Sequence, residues 1–151
     1  MKKNKILPIS CLCSIYEKTL LDEFILSIDS LLIQDYLPKE IVIVVDGNIN
    51  EELHSYLNHL VNLKDIFKIY FFKKNRGLGR ALKYGLNKCN NDLIARFDSD
   101  DINLNNRLKI QYDLLKENQN ISIVGSNIFE FSDNYRDVFI KKMERNLEKK
   151  K

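Results

Sequence analysis

The stretch EIVIVVDG, residues 40–47, is a continuous β-branched run that ends abruptly in an acidic residue and a glycine. Apolar runs without polar alternation are typical of strands buried on both faces, which occur in parallel sheets covered by helices. A second run, LPISCLC at residues 7–13, has the same character. Because neighbouring parallel strands need a crossover segment between them, the two runs predict an α/β protein.

Strand and helix patterns alternate along the chain as far as residue 124. Five runs are predicted to be strands: residues 7–13, 40–45, 67–72, 92–97 and 121–124. Thr19 is the predicted start of the first helix, Asn103 or Asn105 the predicted cap of the fourth, and Pro38 closes the first strand–helix unit. The second helix is predicted to bury Leu53, Leu57, Leu60 and Val61. This order predicts a doubly wound, mostly parallel sheet with flanking helices, whose ligands bind beyond the carboxyl ends of the strands.

Composition limits the class of protein. The chain has 151 residues, enough for one compact domain, and a formal net charge of +3, too small for a dedicated nucleic-acid binder. Three cysteines, Cys11, Cys13 and Cys89, fit neither a disulfide framework nor a C-x-x-C motif, and we interpret them as small buried side chains. A buried strand explains the apolar start better than a signal peptide, and no stretch approaches the about 20 apolar residues of a membrane span. We therefore expect a cytoplasmic protein.

Polar and acidic residues follow three of the predicted strands. Ser14 and Tyr16 follow the first, Asp46 the second, and the run Asp98-Ser99-Asp100-Asp101 the fourth. Three carboxylates so close together repel one another unless a cation or hydrogen-bond donors compensate. Oxygen-rich clusters of this kind suit Mg²⁺ or Mn²⁺, which typically bridge protein carboxylates to substrate phosphates. A turn that caps the next helix is an equally open interpretation of the same residues.

Asp46 and Tyr16 each have two interpretations. At a strand end the carboxylate of Asp46 can accept hydrogen bonds from a nucleobase or ribose, and it would then contribute to recognition more than to packing. An Asp-Gly pair is also an ordinary turn. Tyr16 can offer its ring face to a base or can simply pack against the protein.

The stretch NRGLG, residues 75–79, precedes a predicted helix that opens at Gly77. A dinucleotide fingerprint would need a third glycine where Leu82 stands and an abrupt turn where residues 73–76 intervene, so nicotinamide binding is disfavoured. A glycine-rich helix start can still bring backbone N–H groups and Arg76 near a phosphate, or it can simply allow close packing.

Taken in order, these motifs resemble family 2 glycosyltransferases, especially the bacterial exopolysaccharide and amylovoran-type group. The resemblance covers about residues 7–131 and includes the stretches NRGLGRAL, residues 75–82, and ARFDSDD, residues 95–101. It implies a GT-A fold with a Rossmann-like sheet, a nucleoside-diphosphate-sugar donor that is commonly UDP-linked, and a divalent metal, Mn²⁺ or Mg²⁺. The implied activity is inverting transfer of the sugar to a polysaccharide or lipid-linked acceptor.

The resemblance also implies roles for individual residues. Ser14 and Tyr16 look like the loop that frames the base, and Asp46 resembles the carboxylate that reads the uracil edge. Asp98, Asp100 and Asp101 resemble the family's D-x-D element. The resemblance implies that Asp98 and Asp100 contact the nucleotide sugar and that Asp100 and Asp101 coordinate the metal. Arg76, Gly77 and Gly79 resemble the helix start beside the donor. Arg107 stands after the acidic run, where the family often has an arginine. This sequence has Val45 where many relatives carry a second acid, which affects the details of base recognition.

The expected domain organisation is a GT-A nucleotide-sugar-binding domain at residues 1–131 and a basic tail at residues 132–151. Relatives continue into another domain half that supplies the acceptor surface and the general base, so we expect this chain to lack that half, and no base can be named. A non-catalytic or truncated nucleotide-sugar-binding module and a nucleotidyltransferase stay open as alternatives. The tail is either a solvated end or a lipid-binding segment at the inner membrane surface.

Overall fold

The structure is a computed structural model that describes residues 5–129. Its elements are β1 (Lys5–Ile15), α1 (Leu21–Leu32), β2 (Tyr36–Asp46), α2 (Glu51–Leu63), β3 (Phe67–Phe72), α3 (Leu78–Leu86), β4 (Leu93–Arg96) and α4 (Arg107–Glu117). The alternation of strands and helices that the sequence predicts is confirmed from β1 to α4. The predicted basic tail, residues 132–151, and the end of the predicted domain, residues 130 and 131, lie outside the described residues.

The four strands form one parallel sheet in the order β3-β2-β1-β4. The chain runs outward from β1 through β2 to β3, and α3 then carries it back to β4 on the other side of β1. The strand order therefore reverses between β1 and β4, which is the kind of position where doubly wound sheets bind ligands. The predicted doubly wound parallel sheet is confirmed.

Helices cover both faces of the sheet. One face of the strands, including Cys11 and Ile43, joins the main core with buried residues of α1, α2 and α4. The other face packs against α3, where a Cβ added at Gly85 would lie 2.4 Å from Leu12 Cδ1 and 2.9 Å from Val44 Cγ2. A glycine at this position therefore lets α3 lie directly on the sheet.

The cysteines are free thiols. Cys11 and Cys13 are fully buried on the same face of β1, and Cys89 is half-buried. Burial raises the pKa of Cys11 to about 12, which keeps its thiol protonated and unreactive at neutral pH. The prediction that Cys11 and Cys13 act as small buried side chains is confirmed.

Residues 121–124 do not form the predicted fifth strand. Ile121 and Ile123 are 44% and 87% exposed, and the backbone N–H of Ile121 donates locally to the carbonyl of Asn118 at 3.0 Å. A strand requires a neighbour that completes its ladder of hydrogen bonds, and the sheet within residues 5–129 places none beside this segment. The apolar pattern alone was therefore a poor guide here.

The predicted helix caps were also wrong. The hydroxyl of Thr19 accepts the backbone N–H of Tyr16 at 3.1 Å and so closes a loop, while α1 begins without a side-chain cap. Neither Asn103 nor Asn105 caps α4, which begins after Asn106, again without a side-chain cap. In both places the polar side chain is used to fold a loop instead.

Two further expectations differ from the structure. Pro38 does not close a unit but lies buried inside β2, opposite Leu7, next to a register irregularity between Leu7 and Ser10. Proline lacks an N–H, and an irregular part of a strand tolerates that loss. Val61 is 47% exposed, whereas the other three residues predicted for the buried face of α2 are buried.

Candidate functional site

The predicted site residues lie at one edge of the sheet, because the carboxyl ends of parallel strands meet there. Ser14 is the penultimate residue of β1, and Tyr16 directly follows the strand. Asp46 is the last residue of β2, and Asp98 comes two residues after the end of β4. Since β1 lies between β2 and β4, its loop lies between the other two.

Asp46 is a buried carboxylate that anchors the start of α3. It is 3% exposed, and it accepts the backbone N–H groups of Arg76 at 2.7 Å and Gly77 at 2.8 Å. Gly77 and Gly47 both have positive φ angles, and a Cβ at Gly47 would lie 2.7 Å from the backbone nitrogen of Asn75. The expectation that Asp46 contributes to recognition more than to packing did not include these contacts.

The bonds to Asp46 also change how the glycine-rich helix start is interpreted. The N–H groups of Arg76 and Gly77, which the sequence offered as phosphate donors, already bind a carboxylate. The guanidinium of Arg76 lies over the ring of Phe72, 4.7 Å from its centroid, and the side chain is exposed. These two N–H groups are therefore not free for a phosphate, whereas the Arg76 side chain is exposed.

Tyr16 and Ser14 have different environments. The Tyr16 side chain is 42% exposed. Its backbone N–H donates to the hydroxyl of Thr19, and its carbonyl oxygen accepts the backbone N–H of Thr19. The hydroxyl of Ser14 donates to the carbonyl oxygen of Val44 at 3.1 Å, which ties the end of β1 to β2. Of the two, Tyr16 is the side chain that remains exposed for ligand contact.

The acidic run forms a turn whose first carboxylate has a partner. Asp98 accepts a hydrogen bond from the guanidinium of Arg96 at 2.6 Å, and both side chains are about half exposed. Asp100 and Asp101 are exposed. Burial, followed by repulsion from Asp98 and Asp100, raises the pKa of Asp101 above its ordinary value. The turn therefore carries more negative charge than its surroundings neutralise.

Arg107 is the second cation beside this turn. Its guanidinium donates to the carbonyl oxygen of Arg96 at 2.7 Å, to Gln111 at 3.2 Å and to the amide oxygen of Asn103. Burial lowers its pKa, and the nearby acidic side chains act in the opposite direction. The side chain thus joins the backbone of Arg96, before the acidic run, to the side chain of Asn103, after it, a role that its position in the sequence could not show.

Sequence reasoning missed three buried polar side chains on α1 and just after it. Ser27, Ser30 and Gln34 are 0%, 3% and 3% exposed, and they hydrogen-bond to the segment that contains the acidic run. The spacing of three residues between Ser27 and Ser30 is itself a usable signal, because it places both on one helix face beside the apolar stripe.

The acidic run offers an incomplete set of metal ligands. Within residues 5–129, no group of three or more His, Cys, Asp or Glu side chains is arranged to hold a metal ion. Asp98 is engaged by Arg96, whereas no hydrogen-bond donor in that range contacts the carboxylates of Asp100 and Asp101. Two exposed carboxylates fit Mg²⁺ or Mn²⁺ when phosphate and water oxygens complete the coordination, and they do not fit an ion caged by protein alone.

Known proteins resemble this chain in sequence. The family model described as glycosyl transferase family 2 matches residues 14–151. The Escherichia coli UDP-Gal:alpha-D-GlcNAc-diphosphoundecaprenol beta-1,3-galactosyltransferase is 40% identical over 103 residues, which cover 66% of this chain and 36% of that protein. The Erwinia amylovora amylovoran biosynthesis glycosyltransferase AmsE is 32% identical over 128 residues, which cover 85% of this chain and 48% of that protein. The chain thus spans between about a third and a half of these relatives.

Solved structures show the same fold. S. aureus TarS superposes with a TM-score of 0.63 at 19% identity, over 83% of this chain and 24% of that chain. The mannosyltransferase PcManGT from Pyrobaculum calidifontis, in complex with GDP-Man and Mn²⁺, gives a TM-score of 0.53 at 18% identity, over 62% and 27% of the two chains. At these identities the likeness bears on the fold alone, and it confirms the predicted GT-A-type architecture. No helix among the described residues is both long and apolar enough to cross a membrane.

Proposed function

The chain belongs to glycosyl transferase family 2, and we propose that its sheet-edge site binds a nucleoside-diphosphate sugar, UDP-linked, for transfer to a polysaccharide or lipid-linked acceptor. The observation that carries the proposal is the acidic turn of Asp98, Asp100 and Asp101 at the switch point between β1 and β4. The E. coli relative is named for a UDP-Gal donor and a diphosphoundecaprenol acceptor, and AmsE for amylovoran biosynthesis, which supports this choice of substrates.

In this proposal Asp100 and Asp101 hold Mn²⁺ or Mg²⁺. Their carboxylates are exposed, and the raised pKa of Asp101 comes from burial and from repulsion that a cation would relieve. When bound, the ion would neutralise the charge of the leaving diphosphate. The similarly folded mannosyltransferase in complex with GDP-Man and Mn²⁺ supports the pairing of a nucleotide sugar with this kind of ion.

Base and ribose contacts are proposed for the loop after β1 and for Asp46. The exposed ring of Tyr16 lies on a loop that Thr19 holds in shape, which favours stacking on a base. Asp46 already accepts two N–H groups, but two carboxylate oxygens together have about four acceptor sites, so capacity for a base edge remains. Ser14 and Arg76 complete the proposed nucleotide-sugar contacts.

The proposed reaction is direct displacement at the anomeric carbon, which inverts its configuration. We assign the general base to none of residues 5–129. A lipid-linked acceptor would lie at a membrane, so we place the enzyme on the cytoplasmic side, held at the inner membrane surface by the basic residues 141–151.

A thermal-shift screen with UDP, GDP and dTDP sugars, each in Mn²⁺ and in EDTA, tests the proposal. A ligand that binds only the folded state raises Tm. We expect UDP sugars to raise Tm in Mn²⁺ and much less in EDTA, because the ion separates the diphosphate from three carboxylates. If none of the nucleotide sugars raises Tm, the proposed function is contradicted. If UDP sugars raise Tm equally in Mn²⁺ and in EDTA, the metal assignment is contradicted.

A further inference from the structure

Three buried polar side chains, Ser27 and Ser30 on α1 and Gln34 two residues after its end, tie this part of the chain to the segment after β4. We call these three side chains the α1 polar stripe and the segment at residues 97–106 the acidic loop. We infer that the α1 polar stripe positions the backbone of the acidic loop for binding of nucleotide and metal. The inference rests on the proposed function, because it concerns the same site.

The first contact fixes the start of the acidic turn. Ser27 is fully buried, and its hydroxyl donates to the carbonyl oxygen of Asp98 at 2.8 Å. The same carbonyl accepts the backbone N–H of Asp101 at 3.3 Å, which closes the turn. One serine hydroxyl therefore orients the peptide group on which the acidic turn is built.

The second contact fixes the end of the turn. The hydroxyl oxygen of Ser30 accepts the backbone N–H of Asn103 at 2.9 Å and its side-chain amide at 3.1 Å. The same hydroxyl donates to the carbonyl oxygen of Ser27 at 2.6 Å, so the two serines are linked. Ser30 and Asn103 are both buried, at 3% and 4% exposure.

The third contact extends the attachment to α4. The side-chain amide of Gln34 donates to the carbonyl oxygen of Leu104 at 2.6 Å, and its oxygen accepts the backbone N–H of Leu108 at 3.2 Å. The neighbouring backbone N–H of Asp35 donates to the carbonyl oxygen of Asn105 at 2.8 Å. The loop is thus held from its first carboxylate to the first turn of the next helix.

These contacts serve the loop backbone more than the core. The apolar residues of α1, Phe24, Ile28 and Leu31, already bury its packing face. No buried side-chain nitrogen or oxygen in the described residues lacks a hydrogen-bond partner, so the polar network is complete. A fully satisfied buried network is rigid, and a ligand that meets a rigid loop avoids the entropic cost of ordering it.

Ser27→Ala and Ser30→Ala test the inference, with Ser10→Ala as a matched control. Ser10 is also fully buried, and its hydroxyl bonds Glu40 and Asn91, outside the acidic loop. For each variant of the full chain, calorimetry measures the Kd of UDP in Mn²⁺, and NMR measures hydrogen exchange at the amides of the acidic loop. Urea denaturation reports the loss of stability.

We expect Ser27→Ala and Ser30→Ala to weaken UDP binding roughly threefold to tenfold, as loss of one hydrogen bond per loop contact predicts. Exchange at the amides of Asp101 and Asn103 should become faster. Ser10→Ala should lose comparable stability but keep the wild-type Kd. An increase in the Kd of UDP that is confined to the α1 variants is a result that general destabilisation cannot produce.

Wild-type affinity in both α1 variants, or an equal loss of affinity in Ser10→Ala, would overturn the inference. The exchange measurement separates this failure from failure of the proposed function. If the wild type does not bind UDP in Mn²⁺, the proposed function fails, and faster exchange at the acidic loop in Ser27→Ala would still support the positioning of that loop. If the acidic-loop amides exchange no faster in Ser27→Ala and Ser30→Ala than in Ser10→Ala, the positioning of the loop by α1 is overturned.

Discussion

The carboxylate of Asp46 accepts the backbone N–H of Gly77 at 2.8 Å and so joins the end of β2 to the start of α3. A second bond, from the N–H of Arg76 at 2.7 Å, completes this attachment. Gly77 has a φ of 88°, a left-handed conformation that favours glycine. A residue proposed to contact the nucleotide therefore also holds the fold together.

Asp46→Ala should lower the free energy of unfolding by about 1–3 kcal/mol, because it removes two charge-assisted hydrogen bonds from a buried carboxylate. Urea denaturation measures this change. Asp65→Ala, at an exposed carboxylate before β3, is the control and should change stability by less than about 0.5 kcal/mol. Equal stability of Asp46→Ala and wild type would refute the anchoring role.

Gly85→Ala should destabilise the fold by about 1–3 kcal/mol, because the new methyl group overlaps Leu12 and Val44 beneath α3. Gly79→Ala on the same helix is the matched control, since a Cβ there meets no atom within 4 Å. Alanine favours helix over glycine by up to about 1 kcal/mol, so this control should be neutral or stabilising. Similar Tm values for the two variants would show that α3 does not pack as closely as described.

Glu40 forms a buried ionic cluster on β2. It accepts hydrogen bonds from the hydroxyl of Ser10 at 2.6 Å, the ammonium of Lys68 at 2.6 Å and the backbone N–H of Asn90 at 2.5 Å. The side-chain amide of Asn91 adds a further bond at 3.1 Å. Burial alone would raise the pKa of Glu40, but bonds from Lys68, Ser10 and Asn90 outweigh it and lower the pKa from 4.5 to about 2.

This shift predicts a pH dependence of stability. The folded pKa is below the unfolded value, so the stabilisation is complete above pH 4.5 and is lost as pH falls toward about 2. The shift corresponds to about 3 kcal/mol. Urea denaturation between pH 5 and pH 2 should show a steeper loss for wild type than for Glu40→Gln, which has no carboxylate to protonate. Parallel losses in the two proteins would count against the cluster.

The basic segment at residues 141–151 predicts binding to anionic lipid. Each lysine or arginine near such a surface contributes about 1 kcal/mol, and salt screens the attraction. The full chain should therefore sediment with anionic vesicles at low salt. It should not sediment with them at high salt, and a chain without residues 141–151 should not sediment with them at either salt concentration. Failure to sediment at low salt would leave the segment as a solvated end.

The fold was predictable where local pattern and packing agree. Residues 67–72, the predicted third strand, coincide with β3 (Phe67–Phe72). Residues 121–124 have an equally apolar pattern, but a strand depends on a partner strand that can lie anywhere in the chain, and sequence periodicity does not identify that partner. For the same reason β1 and β2 extend beyond the predicted runs, since each strand continues for as long as its neighbour accepts hydrogen bonds.

The candidate site was predictable in location and not in detail. Parallel topology brings the strand ends to one edge, so the residues after β1, β2 and β4 could be grouped from sequence. The contact from Ser27 to Asp98 spans 71 positions and depends on α1 packing beneath the acidic loop. The pairing of Arg96 with Asp98 depends on rotamers of exposed side chains, which neither spacing nor composition determines.

Calorimetric titration of UDP into the full chain, in Mn²⁺ and in EDTA, tests the central claim most directly when wild type is compared with Asp100→Ala. The site is expected to bind UDP at least about tenfold more tightly in Mn²⁺ than in EDTA, a difference of about 1.4 kcal/mol. Asp100→Ala should lose most of that difference, whereas Asp65→Ala should retain it. Identical affinity in Mn²⁺ and EDTA, or an Mn²⁺ effect that persists in Asp100→Ala, would contradict a nucleotide site built on the acidic turn.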